Sequence, residues 1–262
     1  MIIPKTLKKG DKVSIISTAR KITMQELIPS IKILKSWGLE VVFGENLFKE
    51  NNQFSGTKKQ RVEDLQNAIN DNSISAILCA RGGYGTVQII DDINFSNLQK
   101  NPRWIIGYSD VTVLHSHLHN VGIATLHASM PINFVKNTEE SLNSLKNILF
   151  EGKNTIEYNS QKINNIGNVN SEIVGGNLSI LYSLIGSDSD INTNGKILFI
   201  EDLDEYLYHI DRMMINLKRN GKLENLAALI VGGMSDMNDN EISFGKSVIE
   251  ITSVLILYTL RR

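Results

Sequence analysis

Trp104-Ile105-Ile106-Gly107-Tyr108-Ser109-Asp110 is the stretch that predicts both the fold and a candidate nucleophile. Its apolar run ends at a glycine, and residues 111–115 are typical of the start of a helix. It therefore predicts a strand, a sharp turn and a helix, with the Ser109 hydroxyl exposed at the carboxyl end of a sheet. Acyl transfer needs this geometry, because the first free amides of the helix then face the group that the serine attacks. The simpler alternative is a serine that caps an ordinary helix.

Strands and helices alternate along the chain before this stretch. The apolar spacing predicts strands at 12–17, 39–43, 74–79 and 104–106, and helices at 24–37 and 58–70. Such alternation implies a parallel sheet with crossover helices on both faces. The predicted class is therefore α/β, with an N-terminal doubly wound parallel sheet of Rossmann or flavodoxin type. Ligand sites in these sheets lie beyond the carboxyl ends of the strands.

A second loop at this edge is rich in glycine, and it reads Arg81-Gly82-Gly83-Tyr84-Gly85. Glycines let the backbone approach a ligand closely. The loop lacks the lysine and threonine of a phosphate-binding P-loop and the spacing of a dinucleotide fingerprint. We expect it to supply an amide to an oxyanion hole, beside the amide of Asp110. The alternative is a tight turn between a strand and a helix.

A polar, Asn-rich stretch divides the chain. We place an N-terminal nucleophile domain at residues 1–150, a linker at 151–171 and a smaller C-terminal α/β domain at 172–262. The C-terminal domain is predicted to contain strands at 196–200 and 226–231 and a helix at 206–217.

Glu201 and Asp202 follow the first of these strands directly. A carboxylate at the carboxyl end of a strand suits a catalytic acid. The alternative is a solvated cap of the next helix.

Composition limits the function classes. The 262 residues are 42% hydrophobic and 21% charged with a net charge of −1, so no basic surface for nucleic acid or anionic lipid is expected. The single cysteine, Cys79, fits a reducing compartment. No apolar run reaches the roughly 18 residues that a membrane span needs, and the first residues lack a signal-peptide core. The expectation is a cytoplasmic protein without nucleic-acid or membrane partners.

The chain resembles the LD-carboxypeptidase family, serine peptidases of the S66 type, because the family's landmarks occur in the same order. They are Gly10-Asp11, Phe54-Ser55-Gly56-Thr57, Arg81-Gly82-Gly83-Tyr84-Gly85, Gly107-Tyr108-Ser109-Asp110, Gly175-Gly176-Asn177-Leu178, Glu201-Asp202, Asp211-Arg212-Met213 and Gly232-Gly233-Met234. They cover residues 5 to about 246.

The resemblance implies a Ser-Glu-His triad in a catalytic cleft between two domains, with no cofactor and no metal. By it, Ser109 is the nucleophile, Glu201 orients the histidine, and the amides of Asp110 and of Gly82 or Gly83 form the oxyanion hole. The family releases terminal D-alanine from muropeptide tetrapeptides during cytoplasmic cell-wall recycling, and a homodimer is the implied assembly. A sister branch hydrolyses aminoacyl nucleotides such as processed microcin C.

A carboxypeptidase must also bind the terminal carboxylate of its substrate, for which a bidentate arginine is well suited. Arg81 and Arg103 are both candidates by position, and Tyr84 in the glycine-rich loop is a further candidate for substrate contact.

The histidines depart from the family's pattern. The family's catalytic histidine lies in a Gly-His turn near the C-terminus, whereas no histidine here follows His209. We therefore expect a truncated end and impaired catalysis, with a non-catalytic muropeptide-binding remnant as an alternative. His115 and His119 share a helix face, but no third metal ligand follows at a suitable spacing. Packing or polar contact is the expectation for all five histidines.

Overall fold

A computed structural model describes residues 1–157 and 167–257, with side chains up to residue 252. The chain divides into two compact units, Met1–Lys162 and Ile163–Arg262. Part of the predicted linker, 158–166, and the last residues of the chain lie outside the described residues.

The first unit contains a five-stranded parallel sheet in the order β2-β1-β3-β4-β5. Its strands are β1 (Lys12–Ile16), β2 (Glu40–Phe43), β3 (Ile74–Cys79), β4 (Trp104–Gly107) and β5 (Leu126–His127). Its helices are α1 (Met24–Ser36), α2 (Lys58–Asn70), α3 (Ser96–Lys100), α4 (Thr112–Asn120) and α5 (Glu139–Glu151). This order is that of a doubly wound sheet whose topological switch point lies between β1 and β3.

Local sequence signals set the starts of the helices that flank this sheet. Thr23 accepts a hydrogen bond from the amide of Glu26, whose carboxylate accepts one from the Thr23 amide in return. Thr57 and Gln60 form the same reciprocal capping box at the start of α2. Two orphan amides are satisfied in each case, so both helices begin at a defined residue.

Alternate residues of the strands bury one face of the sheet against α1 and α5. This cluster includes Val13, Ile15, Leu78, Trp104 and Ile106 from the strands and Leu27, Leu34, Leu145 and Leu149 from the two helices. Helix α2 contacts β1 and β3, and α4 contacts β4. The carboxyl ends of β1, β3, β4 and β5 are left together at one edge, where the loops that follow them can meet.

The second unit is a smaller three-stranded parallel sheet in the order β6-β7-β8. Its strands are β6 (Ile173–Asn177), β7 (Ile197–Leu203) and β8 (Ala228–Ser235), and its helices are α6 (Leu178–Leu184), α7 (Leu207–Arg219) and α8 (Val248–Leu257). Leu198, Ile200, Met213, Met214 and Ile251 lie in its core. The predicted α/β class, a doubly wound sheet followed by a smaller parallel one, is confirmed.

Strand β7 differs from the prediction in where it ends. Strand β7 continues through Glu201 and Asp202 to Leu203, with an irregular register between Ile200 and Asp202, instead of ending at residue 200. The tail contains helix α8, which begins after a reciprocal pair of Ser247 and Glu250. Among the described residues, no helix has both the length and the apolar character of a membrane span.

Candidate active site

Ser109 stands at the tip of a sharp turn between β4 and α4. It has a φ of +59°, a left-handed conformation that is rare for a residue with a side chain. A short 3-10 turn, Ser109–Val111, then leads into α4. Gly107 permits this turn, because a β-carbon there would lie 2.7 Å from a methyl of Val111. The predicted strand, turn and helix are thus present, and the strained serine is typical of a nucleophile elbow.

Asp110 anchors this turn from below. Its side chain is fully buried, and its Oδ2 accepts hydrogen bonds from the Thr86 amide at 2.8 Å and the Thr86 hydroxyl at 2.6 Å. Burial raises the pKa of Asp110, whereas the hydrogen bonds from Thr86 and Gly85 and the charge of Arg61 act in the opposite direction. The carboxylate therefore fixes the loop that follows β3 against the serine turn.

The glycine-rich loop passes directly in front of the serine hydroxyl. A β-carbon on Gly82 would lie 3.3 Å from both the Oγ and the Cβ of Ser109. Across residues 1–157 and 167–257, no hydrogen bond is found from the amides of Gly82, Gly83 or Asp110. Amides without partners near a serine hydroxyl are candidate donors to a developing oxyanion.

Arg61 holds the glycine-rich loop from behind, and the sequence reasoning missed it. This arginine on α2 is 2% exposed, and its Nη1 donates to the carbonyl oxygens of Thr18 at 2.8 Å and Gly85 at 3.0 Å. Its guanidinium also lies over the Phe54 ring, 4.6 Å from the centroid. Burial lowers the pKa of Arg61. The helical spacing in the sequence could have shown that Arg61 is buried, because Arg61 lies on the same buried face of α2 as Leu65.

Tyr84 and Arg81 are the next two residues that the sequence predicts to contact the substrate. Tyr84 is 47% exposed, and its ring lies against that of Phe54. Arg81 donates to the carbonyl oxygen of Lys21 at 3.1 Å and lies 3.8 Å from the Glu26 carboxylate.

Arg103 precedes the amino end of β4, at the opposite end of that strand from Ser109. It is 3% exposed, and its guanidinium donates to the carbonyl oxygens of Ala68 and Asp71. The structure therefore does not bring Arg103 to the site, because the hydrogen bonds of its guanidinium hold it at the end of α2.

Two histidines lie next to the serine turn. His115 is buried, its Nε2 lies 2.9 Å from the carbonyl oxygen of Gly107, and its Nδ1 lies 2.8 Å from the Thr125 hydroxyl. Burial and the neighbouring His127 lower its pKa to about 3. His127 pairs with Gly107 across the sheet, and its ring lies 6.1 Å from that of Tyr108. Its side chain is exposed, although desolvation by nearby protein atoms lowers its pKa to about 4.

In the second unit, Glu201 has an unusual environment. Its Oε1 is buried and accepts no hydrogen bond from any described residue. Burial, followed by the charge of Asp202, raises its pKa to about 7, against the effect of a hydrogen bond from Asn177. A β-carbon on the neighbouring Gly232 would lie 3.3 Å from the Glu201 Cβ. A buried carboxyl oxygen of this kind suits an acceptor for an imidazole N–H.

Asp202, by contrast, has a structural role. Its carboxylate accepts hydrogen bonds from the Asn177 side chain at 2.9 Å and the Ser179 amide at 2.8 Å. It therefore caps the start of α6. His209 lies on α7 with its Nδ1 2.6 Å from the Glu205 carboxylate. Within the described part of the chain, no cluster of three or more potential metal ligands occurs.

Two family models match the chain and decide its classification. The LD-carboxypeptidase N-terminal domain matches residues 13–128, and the LD-carboxypeptidase C-terminal domain matches residues 170–260. The chain belongs to the LD-carboxypeptidase family.

Sequence relatives agree with this classification. A Bacillus subtilis protein named "Probable murein peptide carboxypeptidase" is 37% identical over 239 residues, which cover 87% of this chain and 73% of the relative. The murein tetrapeptide carboxypeptidase of Pseudomonas aeruginosa is 28% identical over 247 residues, covering 88% of this chain and 79% of its own length.

Solved structures share the fold. Muramoyltetrapeptide carboxypeptidase from Oxalobacter formigenes superposes with a TM-score of 0.84 at 24% identity, over 96% of this chain and 84% of that one. The microcin C7 self immunity protein MccF, in complex with aspartyl sulfamoyl adenosine, gives 0.86 at 21% identity, over 99% and 88%. At these identities the likeness is one of fold.

Proposed function

We propose that this LD-carboxypeptidase family member is a serine hydrolase that releases the terminal D-alanine from a muropeptide tetrapeptide. The observation that carries the proposal is the Ser109 turn, with a φ of +59° and a hydroxyl that faces Gly82. A strained, half-exposed serine beside amides without partners is suited to acyl transfer. The relatives named as murein peptide carboxypeptidases supply the substrate class.

The reaction would proceed in two acyl-transfer steps. Ser109 Oγ attacks the carbonyl carbon of the bond between the diamino acid and D-alanine, and a base accepts the hydroxyl proton. The amides of Asp110 and of Gly82 or Gly83 donate to the oxyanion of the tetrahedral intermediate. The proton passes to the leaving amine, D-alanine departs, and water then hydrolyses the acyl-serine. Glu201 would orient and stabilise the imidazolium of the base.

The base is the part of the triad that the 262 residues do not supply at the family's position, because no histidine follows His209. We propose that the 262-residue chain binds its substrate but turns it over slowly. Loss of one triad member typically costs several orders of magnitude in kcat.

The decisive experiment incubates the purified 262-residue chain with the L-Ala-D-Glu-diaminopimelate-D-Ala tetrapeptide and measures free D-alanine. We expect slow release that Ser109→Ala abolishes, with Ser183→Ala, an exposed serine of α6, as the control. Release that is insensitive to Ser109→Ala would refute the assignment of the nucleophile, and turnover at an ordinary enzymatic rate would refute the impairment.

The proposal also includes a homodimer and a cytoplasmic location. Measurement of the molar mass in solution tests the homodimer, and cell fractionation tests the location.

Hydrolysis of aminoacyl nucleotides is a second candidate function, because the fold superposes on that of MccF. An aminoacyl sulfamoyl adenosine offered in competition with the tetrapeptide separates the two. Tighter binding of the nucleotide analogue than of the tetrapeptide would favour this second function.

A further inference from the structure

Arg20 occupies the turn that follows β1, at the switch point of the doubly wound sheet. Strands β1 and β3 are neighbours in the sheet, so the turn after β1 lies beside the glycine-rich loop after β3. Ligands of doubly wound sheets bind in the crevice at this point. Arg20 therefore stands where the topology alone predicts ligand contact.

The backbone of Arg20 is held firmly, whereas its guanidinium is unengaged. The Ser17 hydroxyl donates to the Arg20 carbonyl oxygen at 2.7 Å, and Arg20 forms an antiparallel bridge with Phe54. The side chain is exposed, and within residues 1–157 and 167–257 the guanidinium makes no hydrogen bond or ion pair. An exposed, unpaired guanidinium on a fixed turn is available to a ligand.

The side chain of Arg20 extends along the glycine-rich loop. A β-carbon on Gly83 would lie 2.6 Å from the Cδ and 2.8 Å from the Nε of Arg20, so the arginine stem occupies the space that a side chain would take. The preceding residue, Gly82, makes the equivalent approach to Ser109 Oγ. Adjacent glycines therefore contact the candidate nucleophile on one side and this arginine on the other.

We propose that Arg20 binds the terminal carboxylate of the substrate peptide, in place of Arg81 or Arg103. This inference rests on the proposed carboxypeptidase function and names the group that would make the enzyme act only at a chain end. Arg103 is buried on carbonyl oxygens, and Arg81 is held by Lys21 and Glu26. Arg20 has both ends of its guanidinium fork free for the two carboxylate oxygens.

The spacing suits this role. Because consecutive Cα atoms lie about 3.8 Å apart, the two glycine contacts place Arg20 Nε no more than roughly 13 Å from Ser109 Oγ. Attack requires a contact of about 3 Å between Oγ and the scissile carbon. One residue of about 3.6 Å then leads to the terminal carboxylate. With a hydrogen bond of about 2.9 Å and the width of the guanidinium, the sum stays within this limit.

The test measures binding by calorimetry, so that slow turnover does not interfere. The full 262-residue chain with Ser109→Ala is titrated with the L-Ala-D-Glu-diaminopimelate-D-Ala tetrapeptide and with its C-terminal amide. The same titrations are made after adding Arg20→Gln or Arg20→Lys. Lys21→Gln is the matched control, since it removes the same charge from the next residue of the turn.

We expect the Ser109→Ala chain to bind the free acid at least tenfold more tightly than the amide. Arg20→Gln should reduce this preference to less than about threefold, Arg20→Lys should leave an intermediate preference, and Lys21→Gln should retain the full preference. The inference is overturned if Arg20→Gln keeps the tenfold preference, or if the parent chain has none. Failure of the tetrapeptide to bind the parent chain in either form would overturn the proposed function as well.

Discussion

The carbonyl oxygen of Gly107 accepts a hydrogen bond from Nε2 of His115 at 2.9 Å, two residues before Ser109. A carbonyl only accepts, so Nε2 carries the proton and Nδ1 accepts from the Thr125 hydroxyl at 2.8 Å. The same carbonyl oxygen also accepts from the Ala128 amide at 3.0 Å. His115 is thus a neutral, buried connection between the serine turn and the segment next to β5.

Removal of this connection should destabilise the first unit. His115→Leu fills a similar volume but leaves the half-buried Thr125 hydroxyl without its partner and removes one donor to the buried Gly107 carbonyl oxygen, so we expect the free energy of unfolding to fall by about 1–3 kcal/mol. Urea denaturation followed by circular dichroism measures the change. His209→Gln, which breaks the half-exposed pair of His209 on α7 with Glu205 before it, should cost less than about 1 kcal/mol. Equal effects of the two variants would contradict the role assigned to His115.

His115 should make the fold less stable in acid. Its pKa is lowered to about 3, below the value of 6.5 expected in the unfolded chain. Between these limits the unfolded state binds the extra proton, so acidification favours unfolding through this group. This proton should reduce the free energy of unfolding by about 1.4 kcal/mol per pH unit. The raised pKa values of Glu201 and Asp110 act in the opposite direction, so the measurement compares variants. We expect the urea midpoint of His115→Leu to fall less, or rise more, than that of the unsubstituted chain from pH 6.5 to pH 4, and parallel pH dependences of the two would contradict the prediction.

Glu201 should show the opposite dependence on pH. Its pKa is raised to about 7, so the folded state favours the protonated form, and the resulting stabilisation is lost as pH rises from 4.5 through 7. Glu201→Gln, which stays neutral, should therefore raise the free energy of unfolding at pH 8 by on the order of 1 kcal/mol and have little effect at pH 4. Chemical denaturation at the two pH values measures this. Glu224→Gln, at an exposed position, is the control, and an equal gain at both pH values would count against a raised pKa.

The strained backbone of Ser109 predicts a gain in stability when glycine replaces it. Glycine adopts a positive φ without steric cost, so Ser109→Gly should unfold with about 1 kcal/mol more free energy than Ser109→Ala, which keeps the strain. Both variants remove the hydroxyl and should abolish D-alanine release. Thermal and urea denaturation of the two variants side by side test the strain separately from the chemistry. If Ser109→Ala proved the more stable of the two, the left-handed conformation would not be costly.

Local pattern predicted some elements of this fold very well. Helix α2 and strand β3 have the bounds that the sequence predicts, because a capping box and a 3.6-residue apolar period define the first and a continuous apolar run defines the second. Helix α5 was not predicted. The burial of its apolar residues depends on packing against β1, β3 and α1, which are distant in sequence. No element was predicted for the tail, which begins as α8.

For the candidate site too, local sequence predicts one part and fails to predict another. The turn at Ser109 could be predicted, because a strand, a glycine and a helix start are all local signals. The choice of arginine could not, because it depends on contacts between distant parts of the chain. Arg20 meets Gly83 across 63 positions of sequence, and Arg103 is held by carbonyl oxygens that precede it by about 30 positions.

Arg61 joins the turn after β1 to the glycine-rich loop, because one nitrogen donates to the carbonyl oxygens of Thr18 and Gly85 together. The turn after β1 and the glycine-rich loop are thus both hydrogen-bonded to one buried guanidinium and should move together. Selection for a different peptide end would then act on the exposed side chains of Arg20 and Tyr84, while the main chain beneath them keeps its shape.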